Sequence, residues 1–353
     1  MRAWRVVRHG RPSEALALEE VAEPTPGPGQ ARVRAVTTVC NYNEVDGCYG
    51  RYLTINPPLP YTLGMEVCGV VDAVGAGAER WLGRRVTARA VGATGAHAEA
   101  ALVDPAMAFD APDALDDSAA AAFFFPFHVG WLALFERGRL QAGEWLLVHA
   151  GAGGVGSAAV QLGVAHGARV IATAGSAEKL AFCRELGAEV ALDYRGGELA
   201  STEPASAEFV SAIMDATSGH GLDVVCDLVG GATTLATLPA MARGGRLVLA
   251  GFSGGIEAED RALITPRPLL FGNFSIGGVM LAYREGETKF GAVNLLPRAL
   301  GDEVQRELLR LLDAQRIRPI VGRVAPFTAL PAELERLEAR STIGRSVLDW
   351  RSH

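Results

Sequence analysis

The sequence predicts an α/β fold in which a β-rich first domain precedes a domain built on a doubly wound parallel sheet. Up to about residue 125, short strand-like runs are separated by turns, without helices between them. From about residue 127, strand-like runs alternate with helical stretches, which is typical of a parallel sheet covered by helices. A glycine-rich segment stands between a strand and a helix near residue 150. A length of 353 residues agrees with two domains.

The composition is that of an ordinary globular protein, and it argues against binding to nucleic acid or to an anionic membrane. Hydrophobic residues make up 49% of the chain, and the net charge of −7 leaves no basic surface for nucleic acid or an anionic membrane. The 5 cysteines are odd in number and lack C-x-x-C spacing, which favours free thiols in a reducing compartment. The start of the chain lacks the apolar stretch of a secretory signal, and the longest apolar run, residues 119–127, is too short to cross a bilayer. We expect a cytoplasmic protein without a membrane partner.

The first domain is predicted from five strand-like runs. They cover residues 2–7, 31–38, 69–74, 85–90 and 97–103, and a loop rich in Pro and Gly separates the first two. An all-β, barrel-like domain follows from this pattern.

The second domain is predicted from alternating strands and helices. Gly187 and Gly221 stand where a helix must end before the next strand begins. The predicted strands cover residues 145–149, 169–172, 190–192, 223–227 and 246–250, with another near 269–276. The predicted helices cover residues 157–166, 177–186, 207–217 and 233–242.

The last part of the chain fits a return to the first domain. Helices are predicted over residues 301–315 and 331–340, and strands over 323–326 and 346–350. We therefore divide the chain into residues 1–126 (the first part of the catalytic domain), 127–291 (the dinucleotide-binding domain) and 292–353 (the return), and expect the active cleft between the two domains.

The segment between the first strand and the first helix of the second domain fits the spacing G-x-G-x-x-G. The first glycine permits a tight turn, the second lets backbone N–H groups approach a pyrophosphate, and the third lets the helix lie against the strand. Such a turn can be purely structural in a chain with 42 glycines, but the flanking strand and helix favour a dinucleotide site. The residues assigned to this site are Gly151, Ala152, Gly153, Gly154, Val155 and Gly156.

The residues that follow the glycine turn favour NADPH over NADH. NAD-specific sites place an Asp or Glu about 20 residues after the turn to bind the ribose 2′-hydroxyl, and residues 171–176 hold no acid. Ser176, Lys179 and Tyr194, followed by Arg195, can instead hydrogen-bond and neutralise a 2′-phosphate. In the alternative interpretation, Ser176 only caps a helix and Lys179 is a solvated charge.

Short motifs spread along nearly the whole chain point to one protein family. They are N-Y-N-E at residues 41–44 with G-R-Y at 50–52, L-G-M-E-V-C-G-V-V at 63–71, V-H-A-G-A-G-G-V-G at 148–156, L-G-A at 186–188 with D-Y-R at 193–195, D-V-V-C-D-L-V-G-G at 223–231, G-G-R-L-V at 244–248 and T-I-G-R at 342–345. In these motifs the chain resembles the zinc-independent quinone oxidoreductase branch of the medium-chain dehydrogenase/reductase superfamily. The resemblance implies a GroES-like β-barrel catalytic domain, a Rossmann domain and a homodimer formed through the last Rossmann strand.

The same resemblance indicates that no metal is bound. Zinc members of the superfamily hold the catalytic metal with a Cys and a His at positions that carry Asn41 and Met65 here. Amide and thioether groups are poor Zn²⁺ ligands, and the neighbouring Cys40 points the opposite way in an extended segment. His97 and His128 are the remaining potential metal ligands, but lone histidines are more often polar core or surface residues.

Without a metal, hydride transfer needs an acceptor that is already electron-poor: a quinone, an enone or an enoyl thioester. The resemblance implies that Asn41 hydrogen-bonds the substrate or the nicotinamide and that Tyr52 donates a proton. The alternative roles are a turn residue for Asn41 and a wall of the pocket for Tyr52, and Tyr42 and Tyr49 are nearby competitors for the role of Tyr52. Where several quinone reductases have a further Tyr, this chain has Asp46, so the polarity of its pocket differs.

Further cofactor contacts are expected around the carboxyl ends of the last strands, where ligands bind in open α/β sheets. Ordinary loop or packing roles are the alternative for each of them. The candidates are Gly251, Phe252 and Ser253 after a strand, and, by the resemblance, Asn273, Phe274 and Ser275 toward the nicotinamide and Arg345 toward the phosphates.

Three hypotheses about function follow. The first is an NADPH-dependent quinone reductase, and the second is a reductase of enones or enoyl thioesters. The third is a non-catalytic NADPH-binding protein. The pair Asn41 and Tyr52 favours an enzyme, and nothing in the sequence identifies the physiological acceptor.

Overall fold

A computed structural model of the chain describes residues 1–51, 57–194, 207–255, 264–286, 288–291 and 293–352. Its contacts divide the chain into two units, each assembled from separate stretches of sequence. Unit 1 comprises Met1–Phe125, Ala282–Leu309 and Pro319–His353, and unit 2 comprises Pro126–Leu281 and Arg310–Arg318.

The first stretch of unit 1 is mainly β-structure. Its elements are β1 (Arg2–Val6), α1 (Pro12–Ala15), β2 (Leu16–Glu20), β3 (Ala31–Val39), α2 (Tyr42–Tyr49), β4 (Tyr61–Thr62), β5 (Glu66–Val74), β6 (Arg85–Ala90), β7 (Ala100–Asp110) and α3 (Asp117–Ala121). The five predicted strands are all present, although the last begins at Ala100. Strand β2 and helix α2 were not predicted.

Four of these strands close into a barrel. Strand β3 pairs antiparallel with both β5 and β7, and β6 pairs with β5 on one side and with β7 on the other. Buried and partly exposed residues alternate along the first part of β3, so Val33 and Ala35 point into the core. The barrel-like first domain predicted from the sequence is confirmed.

Unit 2 alternates strands with helices, as predicted. Helix α4 (Phe124–Trp131) and a π-helical segment at Leu132–Arg137 precede β8 (Trp145–Val148), α5 (Gly154–His166), β9 (Arg169–Ala174), α6 (Ala177–Glu185), β10 (Val190–Asp193), α7 (Ala207–Ala216), β11 (Leu222–Asp227), α8 (Ala232–Thr237), β12 (Met241–Leu249), α9 (Pro266–Gly272) and β13 (Ser275–Gly278).

The strands of unit 2 form one parallel sheet in the order β10-β9-β8-β11-β12-β13. Counted from β8, this is the Rossmann order 3-2-1-4-5-6, which places a topological switch point between β8 and β11. The core of the sheet contains Leu147, Ile171, Val225 and Leu247. Ligands are therefore expected at the carboxyl ends of these strands, beside the glycine turn.

The predicted bounds or type of two elements of unit 2 were partly wrong. The helix predicted over residues 233–242 ends at Thr237, because Pro239 lies in a 3₁₀ turn, and β12 begins at Met241. The strand predicted near residues 269–276 is helix α9 in its first part, which starts with a Pro in its first turn. Only Ser275–Gly278 is extended.

The closing stretch adds to the sheet of unit 1. It contains β14 (Tyr283–Arg284), β15 (Lys289–Phe290), β16 (Val293–Asn294), β17 (Leu296–Pro297), α10 (Arg298–Asp313), β18 (Val321–Pro326), α11 (Leu330–Glu338) and β19 (Arg345–Asp349). Strand β19 pairs with β3 of the barrel and with β18, so the end of the chain joins the first domain as expected.

One helical stretch of the described residues, Asp117–Arg137, is long and apolar enough to cross a membrane by length and composition alone. In the window tested, 72% of it is buried inside the protein, as in the core helix of a soluble protein. This is weak evidence for a membrane segment.

Candidate active site

The glycine turn of unit 2 joins the end of β8 to the start of α5. Ala150 adopts a left-handed conformation, with φ of +52°, which reverses the chain directly after the strand. A Cβ on Gly151 would lie 2.9 Å from Ala172 Cβ, and a Cβ on Gly156 would overlap the carbonyl oxygen of Ala150. The first and third glycines are therefore required by the packing of the turn itself.

The second glycine of the motif has a different environment. A Cβ on Gly153 would meet only the Ala150 carbonyl oxygen, at 3.3 Å, and its φ and ψ of −77° and 179° suit any residue. Gly153 is also the N-cap of α5, and no side chain caps that helix. The N-terminal N–H groups of α5 are thus left without a side-chain cap next to Gly153. We call this site, formed by Gly153 and the first N–H groups of α5, the cradle, and it fits the pyrophosphate of a dinucleotide.

A buried histidine, His149, lies directly before the glycine turn and is hydrogen-bonded on both ring nitrogens. His149 Nδ1 lies 3.0 Å from Thr173 Oγ1, and Nε2 lies 2.9 Å from Thr237 Oγ1. Because the Thr237 hydroxyl donates to the Thr233 carbonyl oxygen, it must accept from His149 Nε2–H, and Nδ1 accepts from Thr173. Burial lowers the pKa of His149, against a smaller opposite effect of Asp227. The neutral ring thus links the ends of β8 and β9 to α8.

The predicted 2′-phosphate residues lie at the carboxyl ends of β9 and β10. Ser176 is the N-cap of α6, and its hydroxyl accepts from the backbone N–H of Lys179 at 3.3 Å. Tyr194 follows β10 directly, with its N–H bonded to the Ala174 carbonyl oxygen at 3.3 Å. The fold brings these residues to one edge of the sheet. Asp193 lies at the same edge, because it is the last residue of the neighbouring strand β10. A search for an acid about 20 residues after the glycine turn does not reach Asp193.

The turn at residues 251–253 follows β12 at the same edge of the sheet. Ser253 donates from both its N–H and its hydroxyl to the Leu228 carbonyl oxygen, at 3.0 and 2.9 Å, and Phe252 is 43% exposed. Asp227, fully buried at the end of β11, accepts from the backbone N–H groups of Val229 and Gly230. The Asp227 carboxylate thus stabilises the turn at residues 228–230, to which Ser253 is hydrogen-bonded. Asp227 was not identified as a site residue from the sequence, although it ends an apolar strand.

Phe274 and Ser275 lie elsewhere on the sheet. Ser275 is the first residue of β13 and pairs with Arg246, whereas Gly278 is level with Leu249 at the end of β12. Phe274 packs against the apolar core of the sheet. Both residues therefore lie at the amino end of β13, because that strand begins later than predicted, and their cofactor contacts stay a prediction.

In unit 1, Asn41 begins helix α2 by a capping box with Glu44. The Glu44 carboxylate accepts from Asn41 N–H at 3.0 Å and from Met65 N–H at 2.9 Å. The Asn41 amide group donates to the Val39 carbonyl oxygen at 3.1 Å. Asn43 Nδ2 lies 3.6 Å from Met65 Sδ. Asn41 and Met65 are thus brought together by one carboxylate.

Glu44 also ends a buried chain of hydrogen bonds. Its Oε2 lies 2.9 Å from His97 Nε2, and His97 Nδ1 lies 2.9 Å from Thr38 Oγ1. Trp350 Nε1 donates to Thr38 Oγ1 at 3.0 Å. His97 is fully buried, so it is a polar core residue, the role that lone histidines most often have. The chain of bonds fixes the start of α2 against the barrel.

Arg345 is paired inside unit 1. It lies on β19, is 7% exposed, and its guanidinium is 2.5 Å from the Glu66 carboxylate. Burial raises the pKa of Glu66, and the charge of Arg345 acts against that rise. This contact gives Arg345 a structural role, and its predicted contact with cofactor phosphates stays a prediction. Tyr52 and Arg195 lie outside the described residues.

The arrangement of the potential metal ligands is known for the part of the chain that the structure describes. Within the described ranges, no three His, Cys, Asp or Glu side chains are arranged to hold a metal ion. Burial raises the pKa of Cys40, beside Asn41, well above its usual value, and raises that of Cys68 to about 12. These rises in pKa follow from the burial of both thiols in the apolar core of unit 1.

Comparison with known proteins gives consistent matches over nearly the whole chain. Residues 154–296 match a family described as zinc-binding dehydrogenase, and residues 27–113 match the alcohol dehydrogenase GroES-like domain. The quinone oxidoreductase of Rattus norvegicus is 31% identical over 287 residues, which are 80% of this chain and 80% of that protein. The synaptic vesicle membrane protein VAT-1 homolog of the same species is 31% identical over 94% of this chain and 80% of its own length.

A solved structure agrees with both the fold and the sequence matches. The Escherichia coli quinone oxidoreductase complexed with NADPH superimposes with a TM-score of 0.82 at 27% identity, over 99% of this chain and 100% of that one.

Proposed function

The chain belongs to the quinone oxidoreductase branch of the medium-chain dehydrogenase/reductase superfamily, and we propose that it is an NADPH-dependent, metal-free oxidoreductase. The observation that carries the proposal is the cradle at Gly153, open on the side that the α5 N–H groups face. A similar Escherichia coli protein has been solved with NADPH. Family and fold class were both predicted correctly from the motifs.

The residues of the cradle have separate tasks in this proposal. Gly151 and Gly156 shape the turn, Gly153 leaves room for the pyrophosphate, and the N–H groups of α5 bind it. Ser176 and Lys179 hold the 2′-phosphate. The turn of Gly251, Phe252 and Ser253 closes the same edge of the sheet beyond β12.

Bound NADPH supplies a hydride, and the acceptor must also gain a proton. Because Asn41 and Met65 stand where zinc members have ligands, we assign the substrate an electron-poor bond that needs no Lewis acid. Tyr52 is the proposed proton donor. A quinone is the first choice of acceptor because the rat and Escherichia coli relatives carry that name. An enone or an enoyl thioester is the alternative, and it would depend more on the proton donor because its enolate is the stronger base.

The test is NADPH oxidation by the purified protein with a quinone, an enone and an enoyl thioester, each with and without a metal chelator. We expect the quinone to be reduced fastest and the chelator to have no effect. Tyr52→Phe should lower kcat for the enone or thioester by about 100-fold, the usual contribution of a general acid. Tyr49→Phe is the matched control and should be silent. NADPH binding without oxidation by any acceptor would establish the non-catalytic alternative, and absence of NADPH binding would refute the proposal.

A homodimer formed through β13 is part of the proposal. This strand is the edge of the unit 2 sheet, and the helix before it exposes Leu270 (71%) and Phe271 (75%). An unpaired edge flanked by apolar side chains is suited to pairing with a second copy about a twofold axis. Light scattering should give the mass of a dimer, and Phe271→Asp should shift it toward a monomer. A monomeric wild-type protein would contradict this part of the proposal.

We also place the enzyme in the cytoplasm. All 5 cysteines are free and buried, as expected in a reducing compartment. Fractionation of the cells that produce the protein naturally would check this.

A further inference from the structure

Asn43 presents an amide group whose hydrogen-bonding capacity is largely unused. It is the second residue of α2 and is partly exposed. Its Nδ2 lies 3.6 Å from Met65 Sδ, and its side chain makes no other hydrogen bond within the described residues. A thioether sulfur is a weak acceptor and never a donor, so the nitrogen is the amide atom that faces Met65. The second N–H of the amide is left for another partner.

The face of α2 that carries Asn43 is identified by a second residue. Gly47 follows Asn43 by one helical turn, so the two residues share a face of the helix. A Cβ on Gly47 would lie 3.1 Å from Tyr61 Oη and 3.4 Å from a Leu63 methyl group. This face of α2 therefore lies against the segment that ends at Met65.

The polar neighbours of Asn43 already have partners. The Glu44 carboxylate accepts from the backbone N–H groups of Asn41 and Met65. The Asn41 amide donates to the Val39 carbonyl oxygen. Beside Met65, the Asn43 amide is thus a donor that lacks an oxygen acceptor in the described part of the chain.

Resting on the proposed function, we propose that Asn43 is a catalytic residue that donates an N–H hydrogen bond to the carbonyl oxygen of the acceptor. The acceptor gains two electrons with the hydride, NADPH becomes NADP⁺, and the acceptor oxygen holds a negative charge until a proton arrives. A donor that is fixed before the reaction stabilises this charge without reorganisation. Asn43 is fixed in this way, because a capping box starts its helix and Met65 Sδ holds one N–H.

The place of this donor agrees with the proposed function. Met65 stands where zinc members of the superfamily have a metal ligand, and a bound metal polarises a carbonyl oxygen. The Asn43 amide lies against Met65 and can polarise the same kind of oxygen by a hydrogen bond.

Asn43→Asp tests this role with a change that keeps the size of the side chain. It removes both N–H donors and places a negative charge where the oxyanion forms. Because an acidic residue in the first turn favours a helix, the unfolding free energy should not fall. With methylbenzoquinone, kcat/KM should fall by about 100-fold or more, the effect of removing one oxyanion donor. The Kd for NADPH should stay at the wild-type level.

The loss of activity should also depend on the acceptor. Methyl and chloro groups are similar in size, but chlorine withdraws electrons, so chlorobenzoquinone forms the less basic oxyanion and needs the donor less. The loss should therefore be smaller with chlorobenzoquinone than with methylbenzoquinone, both in Asn43→Asp and in Asn43→Leu, which removes the donors without adding a charge. Asn43→Gln keeps the amide and should recover part of the activity. A merely structural role would lower both rates by the same factor.

Asn294→Leu is the matched control. Asn294 lies exposed on β16, also in unit 1. The same exchange of an amide for an apolar side chain should leave the unfolding free energy and both rates at the wild-type level.

The outcomes separate this inference from the function on which it rests. If the wild type reduces the quinones and the Asn43 variants keep its kcat/KM, the inference is overturned and the proposed function stands. Equal losses with the two quinones, or a loss that follows weaker NADPH binding, would also overturn it. If Asn43→Asp does not fold, Asn43→Leu decides by the same criteria. If the wild type oxidises NADPH with no quinone, enone or enoyl thioester, both proposals fail.

Discussion

Gly156→Ala gives the sharpest test of the cofactor turn, because the obstacle to a side chain there is backbone. A methyl group at residue 156 would overlap the Ala150 carbonyl oxygen and lie 2.8 Å from the Ala150 carbonyl carbon and 2.9 Å from Gly151 Cα. No rotamer change can relieve contacts with three backbone atoms. The chain must instead move the turn by about 1 Å to reach normal separations.

The net effect follows from two opposing contributions. Gly156 lies within α5, so alanine should favour the helix by about 1 kcal/mol. Overpacking in a rigid region costs about 1 to 3 kcal/mol, and a backbone obstacle belongs at or above the upper end. We expect unfolding free energy to fall by about 2 kcal/mol. A displacement of about 1 Å in a positioned site can reduce function about 100-fold, so the Kd for NADPH should rise by about that factor.

The assay combines urea denaturation with NADPH titration, and Gly153→Ala is the matched control. At Gly153 a methyl group would meet a single close neighbour, the Ala150 carbonyl oxygen at 3.3 Å, a tight contact that a small shift of the backbone relieves, and the backbone angles suit alanine. Gly153→Ala should therefore keep its stability within about 0.5 kcal/mol yet bind NADPH weakly, because the methyl group occupies the cradle. Wild-type stability and affinity in Gly156→Ala would refute the reasoning.

Three further predictions concern residues around the two candidate sites. Ala150→Gly removes a left-handed alanine, and we expect a gain in stability of up to about 1 kcal/mol by urea denaturation, since glycine tolerates this conformation. Burial lowers the folded-state pKa of His149, so the unfolded chain binds the proton more readily; stability should be complete above about pH 6.5 and fall as the pH drops below it, by up to about 1.4 kcal/mol per pH unit. His149→Gln should flatten that slope in a series of denaturation curves, and an unchanged slope would argue against the neutral ring. Arg345→Met leaves Glu66 buried without its cation, so thermal denaturation should show a loss of about 3 to 5 kcal/mol, largely recovered when Glu66→Gln is added. An unchanged melting temperature with weaker NADPH binding would instead place Arg345 in the cofactor site.

Local sequence patterns predicted the parts of the fold that local physics determines. Strand β6 was predicted with its observed limits, and the turn between β8 and α5 followed from three glycines whose roles the packing explains. Helix α2 was missed although a signal was present: Asn41 followed three residues later by Glu44 is a capping box.

The contacts that the sequence could not predict are those that depend on the fold as a whole. Arg345 meets Glu66 across 279 positions, and Trp350 meets Thr38 across 312. Asp193, known from the sequence only as part of the D-Y-R motif, reaches the carboxyl end of β9 through the register of β10 with β9. Counting residues after a glycine turn examines only one strand, whereas the edge of a parallel sheet collects residues from several.

The hydrogen bonds of Asn41 bear on how the proposed reaction is divided among residues. An oxyanion that forms on the acceptor is stabilised by a donor that is already aimed at it and is not committed to other partners. The Asn41 amide donates to the Val39 carbonyl oxygen, and its side chain caps the Glu44 N–H in the box that begins α2. Binding an oxyanion would require Asn41 to leave these partners and to loosen the helix that it starts. Of its two predicted roles, the turn residue is therefore the one that these contacts support, and proton donation to the reduced acceptor stays the role that we propose for Tyr52.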